Sequence, residues 1–148
     1  MNNPASASPS YFGQTAAIRC ERAAAELRAG RPVVISNGQQ RLASMALDSS
    51  SPEGYASFAE AAQGRHYLFL SAARAQTLGI NSANGIHLPL ADREFAELPA
   101  LAYLRDAVAP DDAQANGNAL DAATVEVARL GLLLPAMISV IDLITGMP

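Results

Sequence analysis

Residues Arg22–Ser36, RAAAELRAGRPVVIS, place a helix, a helix stop and a strand in immediate succession. Gly30 is the residue type that ends helices in the left-handed conformation, and Pro32 prevents the helix from resuming. The β-branched run that follows is typical of a strand covered on both faces. Four apolar residues three and four positions apart would share one face of the helix: Ala17, Cys20, Ala24 and Leu27. The stretch predicts a helix docked on a buried strand.

The rest of the chain continues this helix and strand pattern. Asn37-Gly38 predicts a two-residue turn into a second strand within Gln40–Leu47. Ser51 and Pro52 are typical of a helix start. Asp121 is predicted to cap a late helix with an apolar stripe. The stripe of the late helix consists of Ala123, Val127, Leu130 and Leu134. The other predicted elements are a helix ending at Gly64, a strand at His66–Leu70, a helix from Ser71 to Leu78, an edge strand at Ile86–Leu90, and helices at Asp92–Leu98 and Ala100–Val108.

This pattern predicts an α/β fold in which helices pack on a mixed β-sheet. The length of 148 residues is typical of one domain. We assign residues 15–148 to that domain and expect residues 1–14 to be a disordered lead-in, because MNNPASASPS has few residues that could be buried. The same segment lacks the apolar core of a signal peptide.

Composition argues against several classes of protein. The ten basic residues are all arginine, are dispersed along the chain and are outnumbered by fourteen acids, so we predict no nucleic-acid-binding surface. The apolar run Leu130–Ile141 is shorter than the roughly 20 residues of a membrane span. We therefore expect a cytoplasmic protein with no membrane partner. The single cysteine, Cys20, cannot form an internal disulfide or a cysteine-based zinc site.

Three blocks of the sequence resemble 3,4-dihydroxy-2-butanone 4-phosphate synthase, the Mg²⁺-dependent riboflavin-pathway enzyme that converts ribulose 5-phosphate. They are AAAELRAGRPVVI at residues 23–35, GRHYLFLSAARAQTLGI at residues 64–80 and VEVARLGLLLPA at residues 125–136, and they occur in family order. The resemblance implies the synthase fold. A degenerate copy of that domain precedes the catalytic domain in some bacterial GTP cyclohydrolase II proteins, and this chain is similar to such a copy.

The chain departs from the synthase pattern where that family has its acidic residues. After the first strand the family has an acidic loop, approximately DRENEGD, whereas this chain has NGQQRLASMALD, in which Asp48 is the only acid. The family's His-Thr-Glu segment aligns with Leu120, Asp121 and Ala122. Mg²⁺ prefers carboxylate ligands and enolisation requires a positioned base. We therefore predict no catalytic residue, no metal site and no cofactor in this chain.

Other catalytic patterns are weak. His66 and His87 lack metal-binding spacing, and Ser71, His87 and Asp92 lack the nucleophile elbow that would support a catalytic trio. No glycine-rich phosphate loop follows a strand.

Three hypotheses remain open. The first is a non-catalytic scaffold or dimerisation domain of a GTP cyclohydrolase II-like protein, forming a homodimer and acting beside a downstream or separate catalytic domain. That catalytic domain uses zinc held by three cysteines, which this chain lacks. The second is a binding module for a sugar phosphate or nucleotide, held by Arg41, Arg65 or Arg74, since guanidinium groups suit phosphates. The third is part of an active riboflavin-pathway enzyme whose site is completed by another domain or subunit.

Overall fold

The computed structural model describes residues 19–142 of the chain, which form one α/β domain. The predicted lead-in at residues 1–14 lies outside the described residues. The helices are α1 (described over residues 19–28), α2 (Pro52–Ala62), α3 (Ala72–Thr77), α4 (Leu98–Tyr103) and α5 (Ala119–Leu130), and a 3₁₀ turn covers Phe95–Glu97. The strands are β1 (Val33–Ser36), β2 (Arg41–Ala46), β3 (Tyr67–Leu70), β4 (Ile86–Pro89) and β5 (Ala136–Asp142).

The described strands form one sheet in the order β1-β2-β5-β3-β4. The α/β class with helices packed on a sheet is confirmed, although the four strand pairings are all antiparallel where the sequence predicted a mixed sheet. β2 and β3 nevertheless run in the same direction, because each pairs antiparallel with β5. They are not neighbours, because β5 lies between them and pairs antiparallel with both.

Each face of the sheet carries its own hydrophobic core, because successive residues of a strand point to opposite faces. Met45 belongs to the core that includes residues of α2, α3 and α4, whereas Leu42 and Ala46 belong to the core that includes residues of α1 and α5. Ser44 and Ser139 face each other across β2 and β5, are fully buried and share a hydrogen bond of 2.8 Å. The second strand predicted within Gln40–Leu47 is therefore confirmed, and its side chains contribute to both cores.

The opening stretch folds largely as its sequence predicts. Ala24 and Leu27 are buried, while Ala17 lies outside the described residues. Gly30 has a φ of +81°, and a side chain there would bring a Cβ within 2.9 Å of the Ser49 carbonyl oxygen. The prediction that the first strand is covered on both faces is wrong, since Val34 is 58% exposed. The cause is tertiary, because β1 lies at an edge of the described sheet.

Helix α5 differs from its predicted pattern in two ways. Its N-cap is Asn118, not Asp121, which occupies the third helical position of a capping box. The predicted stripe is also wrong at its end, because Leu130 and Leu134 are exposed. The helix ends at Leu130, so Leu134 lies outside it. The buried side chains of α5 are Leu120, Asp121, Thr124, Val125, Val127 and Ala128.

Between β1 and the late helix, most predicted element starts are confirmed. Ser51 caps α2 and Ser71 caps α3 through their side-chain oxygens. The first turn is longer than predicted, because β1 ends at Ser36 and β2 begins at Arg41. The two helices predicted at residues 92–108 are instead a 3₁₀ turn and α4, with Pro99 in the first turn of α4. Within residues 19–142, no helix is long and apolar enough to cross a membrane.

Candidate functional site

The β1–β2 turn stands where the resemblance places the acidic loop, and its side chains bind the turn itself. The Ser36 hydroxyl accepts a hydrogen bond from the backbone N–H of Gly38 at 3.1 Å. Asn37 Oδ1 accepts from the backbone N–H groups of Gln39 at 3.0 Å and Gln40 at 2.9 Å. These contacts close a polar turn, as serine and asparagine commonly do. Their oxygens therefore stabilise the hairpin.

A buried network of three side chains lies at the start of α5. Asp121 is fully buried, and its Oδ1 accepts a hydrogen bond from the Tyr67 hydroxyl at 2.8 Å. Its Oδ2 lies 2.7 Å from His87 Nε2 and also accepts from the Asn118 backbone N–H at 3.2 Å. The rings of Tyr67 and His87 stack with their centroids 3.8 Å apart. Both carboxylate oxygens are thus occupied inside the fold.

The fold assembles this network from three elements that are distant in the sequence. Tyr67 begins β3 and His87 lies in β4, the strand that pairs with β3. Asp121 comes from the first turn of α5. Burial, followed by the nearby Asp121 carboxylate, raises the pKa of the Tyr67 hydroxyl. Tyr67 therefore remains a hydrogen-bond donor at neutral pH.

Sequence reasoning missed this network. It assigned Asp121 a capping role and considered Asp92 as the acid partner of His87, whereas the structure pairs His87 with Asp121. The available signal was the histidine inside an apolar strand together with an acid at the third position of a helix. Neither feature shows that His87 and Asp121 are partners, because the two residues are 34 positions apart in the sequence.

A cavity of about 500 Å³ opens beside this network, between α5 and the segments that follow β3. Its polar lining includes Ser71, Asn84, Asn118 and the Glu126–Arg129 ion pair, whose closest atoms are 2.6 Å apart. Phe69 forms an apolar wall and contacts His87 edge to face. The lining offers hydroxyl, amide and charged groups to a small polar molecule.

The three predicted phosphate-binding arginines do not line this cavity. Arg74 donates hydrogen bonds to the carbonyl groups of Ala100, Leu101 and Leu104, so it caps the C-terminal end of α4. Arg65 lines an apolar groove of about 250 Å³, and Arg41 lies in β2 opposite Ser36. That these arginines bind a phosphate stays a prediction.

The residues present do not fit the magnesium ion that the resemblance implies. Within residues 19–142, no three histidine, cysteine, aspartate or glutamate side chains are grouped so as to hold a metal. The β1–β2 turn offers amides and hydroxyls, and Asp48 lies beyond β2, where its Oδ2 accepts from the Leu134 backbone N–H at 3.1 Å. Mg²⁺ is usually held by at least one carboxylate.

Comparison with solved structures defines the class of fold. RibBX, a two-domain 3,4-dihydroxy-2-butanone 4-phosphate synthase from A. baumannii, matches this chain with a TM-score of 0.60 at 18% sequence identity. The match covers 84% of this chain and 47% of RibBX. The chain is therefore a synthase-like α/β domain, as its sequence predicted.

The sequence comparisons identify the related proteins. No protein-family model matches the chain. Two curated relatives from Xylella fastidiosa, both named GTP cyclohydrolase-2, are 48% identical (strain Temecula1 / ATCC 700964) and 46% identical (strain 9a5c) over 140 residues. Each alignment covers 94% of this chain and 35% of the relative, so the chain spans about one third of the length of these relatives. By sequence the chain is similar to about one third of these GTP cyclohydrolase II-type proteins, and its fold is that of a synthase-like domain.

Proposed function

We propose that this chain is a non-catalytic scaffold or dimerisation domain of a GTP cyclohydrolase II-like riboflavin-pathway protein, residing in the cytoplasm. The supporting observation is the buried network of Tyr67, His87 and Asp121. Asp121 lies within the segment that aligns with the synthase's His-Thr-Glu motif, yet its carboxylate is fully buried and bonded to other parts of the fold. A general base must come within hydrogen-bond reach of the proton that it removes.

The β1–β2 turn supports the same proposal. Ser36 and Asn37 hold the hairpin through their side-chain oxygens, and they carry no ionised group. At both segments the positions associated with synthase chemistry instead stabilise the domain. The sequence relatives are longer, and this domain would act within such a protein by supporting a catalytic domain or by joining two copies.

The direct test is an activity assay on the purified chain. We expect no release of formate from ribulose 5-phosphate in the presence of Mg²⁺, and no turnover of GTP in the presence of Zn²⁺. Authentic synthase and cyclohydrolase, assayed in parallel, would show that the substrates and detection are sound. A robust rate from this chain in either assay would contradict the proposal.

The cavity beside α5 favours a second candidate function, the binding of a small polar molecule such as a sugar phosphate or nucleotide. Ser71, Asn84, Asn118 and Arg129 supply several hydrogen-bonding groups around one space. A specific ligand must raise the melting temperature, because it binds the folded state preferentially. Thermal-shift screening would compare the wild type with Asn84→Leu, which removes an amide from the cavity wall. Equal shifts for the two proteins would argue against binding at this cavity.

A further inference from the structure

Three exposed leucines lie within five residues, at the last position of α5 and in the segment that follows it, and we call them the leucine ridge. Leu130, Leu132 and Leu134 are 57%, 92% and 47% exposed. Leu133, between them, is half-buried and packs against the core that includes residues of α1 and α5. Single exposed apolar residues are ordinary on protein surfaces, whereas adjoining ones mark interaction sites. The ridge places three such side chains within five residues.

Leu132 occupies a backbone position at which glycine is the usual residue. Its φ is +60°, and its N–H donates to the Arg129 carbonyl at 2.9 Å while that of Leu133 donates to the Ala128 carbonyl at 2.9 Å. These bonds close a Schellman turn, in which the left-handed position is most often glycine. The chain therefore holds a leucine in a strained conformation with nearly all of its surface in water. Strain of this kind is concentrated at functional sites.

Charged residues lie beside the start of the leucine ridge, near Leu130 and Gly131. Arg129 pairs with Glu126 on the adjacent turn of α5, and the Arg28 side chain lies beside Gly131. A hollow of about 570 Å³ separates Leu130 from Glu21, Arg22 and Arg28 of α1. An apolar centre bordered by charged residues is the usual composition of a protein–protein interface.

We propose that the leucine ridge docks a second folded domain of the same protein, corresponding to the part of GTP cyclohydrolase II-type proteins that this chain does not match. The proposal rests on the proposed function, because it gives the scaffold its contact surface. The 140 aligned residues are 35% of each relative, so in those proteins this domain is accompanied by nearly twice its own length of further polypeptide. A folded neighbour would remove the three leucines from water.

The test uses a full-length chimera in which this chain replaces the aligned 140 residues of X. fastidiosa GTP cyclohydrolase-2. Hydrogen exchange of residues 128–135 should be slower in the chimera than in the isolated chain. Leu132→Lys should abolish that protection and increase protease cleavage between the domains at least tenfold. Val108→Lys is the matched control, because Val108 is 79% exposed and lies outside the ridge. It should leave both measurements unchanged.

Three other outcomes would overturn the proposal. Equal hydrogen exchange in the chimera and the isolated chain would show that no neighbour covers the ridge. An unchanged cleavage rate for Leu132→Lys would place the contact elsewhere. Conversion of an isolated dimer to a monomer by Leu132→Lys, without protection in the chimera, would show that the occupant is a second copy of the chain. The activity assays on the isolated chain test its non-catalytic role separately, so either idea can fail alone.

Discussion

At the scale of single residues, most of the buried polar residues of this domain hydrogen-bond through their side chains to one another. Asp121, Tyr67 and His87 form one such set, and Ser44 with Ser139 forms another. A buried polar group destabilises the folded state unless it is hydrogen-bonded. These few contacts therefore contribute strongly to specifying how the core packs. His66 differs, since it is buried with Nε2 3.2 Å from the Tyr55 hydroxyl and with Nδ1 unpartnered within the described residues.

Replacing Asp121 by alanine should strongly destabilise the domain. The change leaves Tyr67 and His87 buried without their acceptor, at a cost of about 1–3 kcal/mol for each group. Urea denaturation measures the free energy of unfolding. Asp112→Ala is the control, because Asp112 forms an ion pair with Arg93 while its side chain is 52% exposed, and such pairs contribute about 0–1 kcal/mol. Equal effects of the two substitutions would contradict this reading of the network.

Stability should fall as the solution becomes acidic, partly through His66. Burial lowers the pKa of His66, so the folded state favours the neutral ring and binds fewer protons than the unfolded state. This contribution is fully present above the ordinary histidine pKa of about 6.5 and is lost as the pH falls through the lowered folded value. His66→Gln should therefore lose less stability than the wild type between about pH 7 and pH 5. Parallel curves of unfolding free energy against pH would refute this assignment.

At the scale of elements, the end of α5 carries a conformational cost that a substitution can relieve. Leu132→Gly should stabilise the isolated chain by up to about 1 kcal/mol, because glycine adopts positive φ without the Cβ clash but loses more backbone entropy on folding. Thermal unfolding measures the effect. Leu134→Gly is the control, since Leu134 is exposed without a positive φ and glycine there should only destabilise. A gain at position 134 and none at 132 would contradict the strain argument.

Helix α5 also shows which features of an element can be predicted from the sequence. The existence of the helix and its start followed from capping residues and spacing, to within a few positions. Its buried face followed only in part: Val127 is buried, but the predicted stripe also included Leu130, which assumed that the helix contacts the core along its whole length. In the structure Leu130 instead belongs to the exposed ridge at the end of the helix.

At the scale of the whole molecule, the last described strand holds the sheet together. β5 pairs with β2 on one side and with β3 on the other, so it joins the β1–β2 hairpin to the β3–β4 pair. Bringing together segments this far apart in the sequence costs chain entropy. The fold should therefore be highly sensitive to changes within β5.

Placing a charge at a buried position near the start of β5 should prevent cooperative folding. Met137 is fully buried between Ala46 and Phe69, and Met137→Asp would bury a carboxylate at a cost of several kcal/mol. Far-UV circular dichroism during urea titration would detect the loss of a cooperative transition. Val34→Asp is the control, since Val34 is exposed on edge strand β1 and its substitution should cost less than about 1 kcal/mol. A wild-type transition for Met137→Asp would show that β5 is dispensable.

The sequence by itself determined the α/β class, the helix stop at Gly30, the first hairpin, most helix starts and the synthase-like resemblance. These features depend on local rules of propensity, capping and turn chemistry, which act over a few residues. The tertiary structure alone decided that β5 lies between β2 and β3, that Val34 is at an edge, and that Asp121 binds His87 and Tyr67. Those outcomes depend on which distant segments share a surface, and no local pattern of residues carries that information.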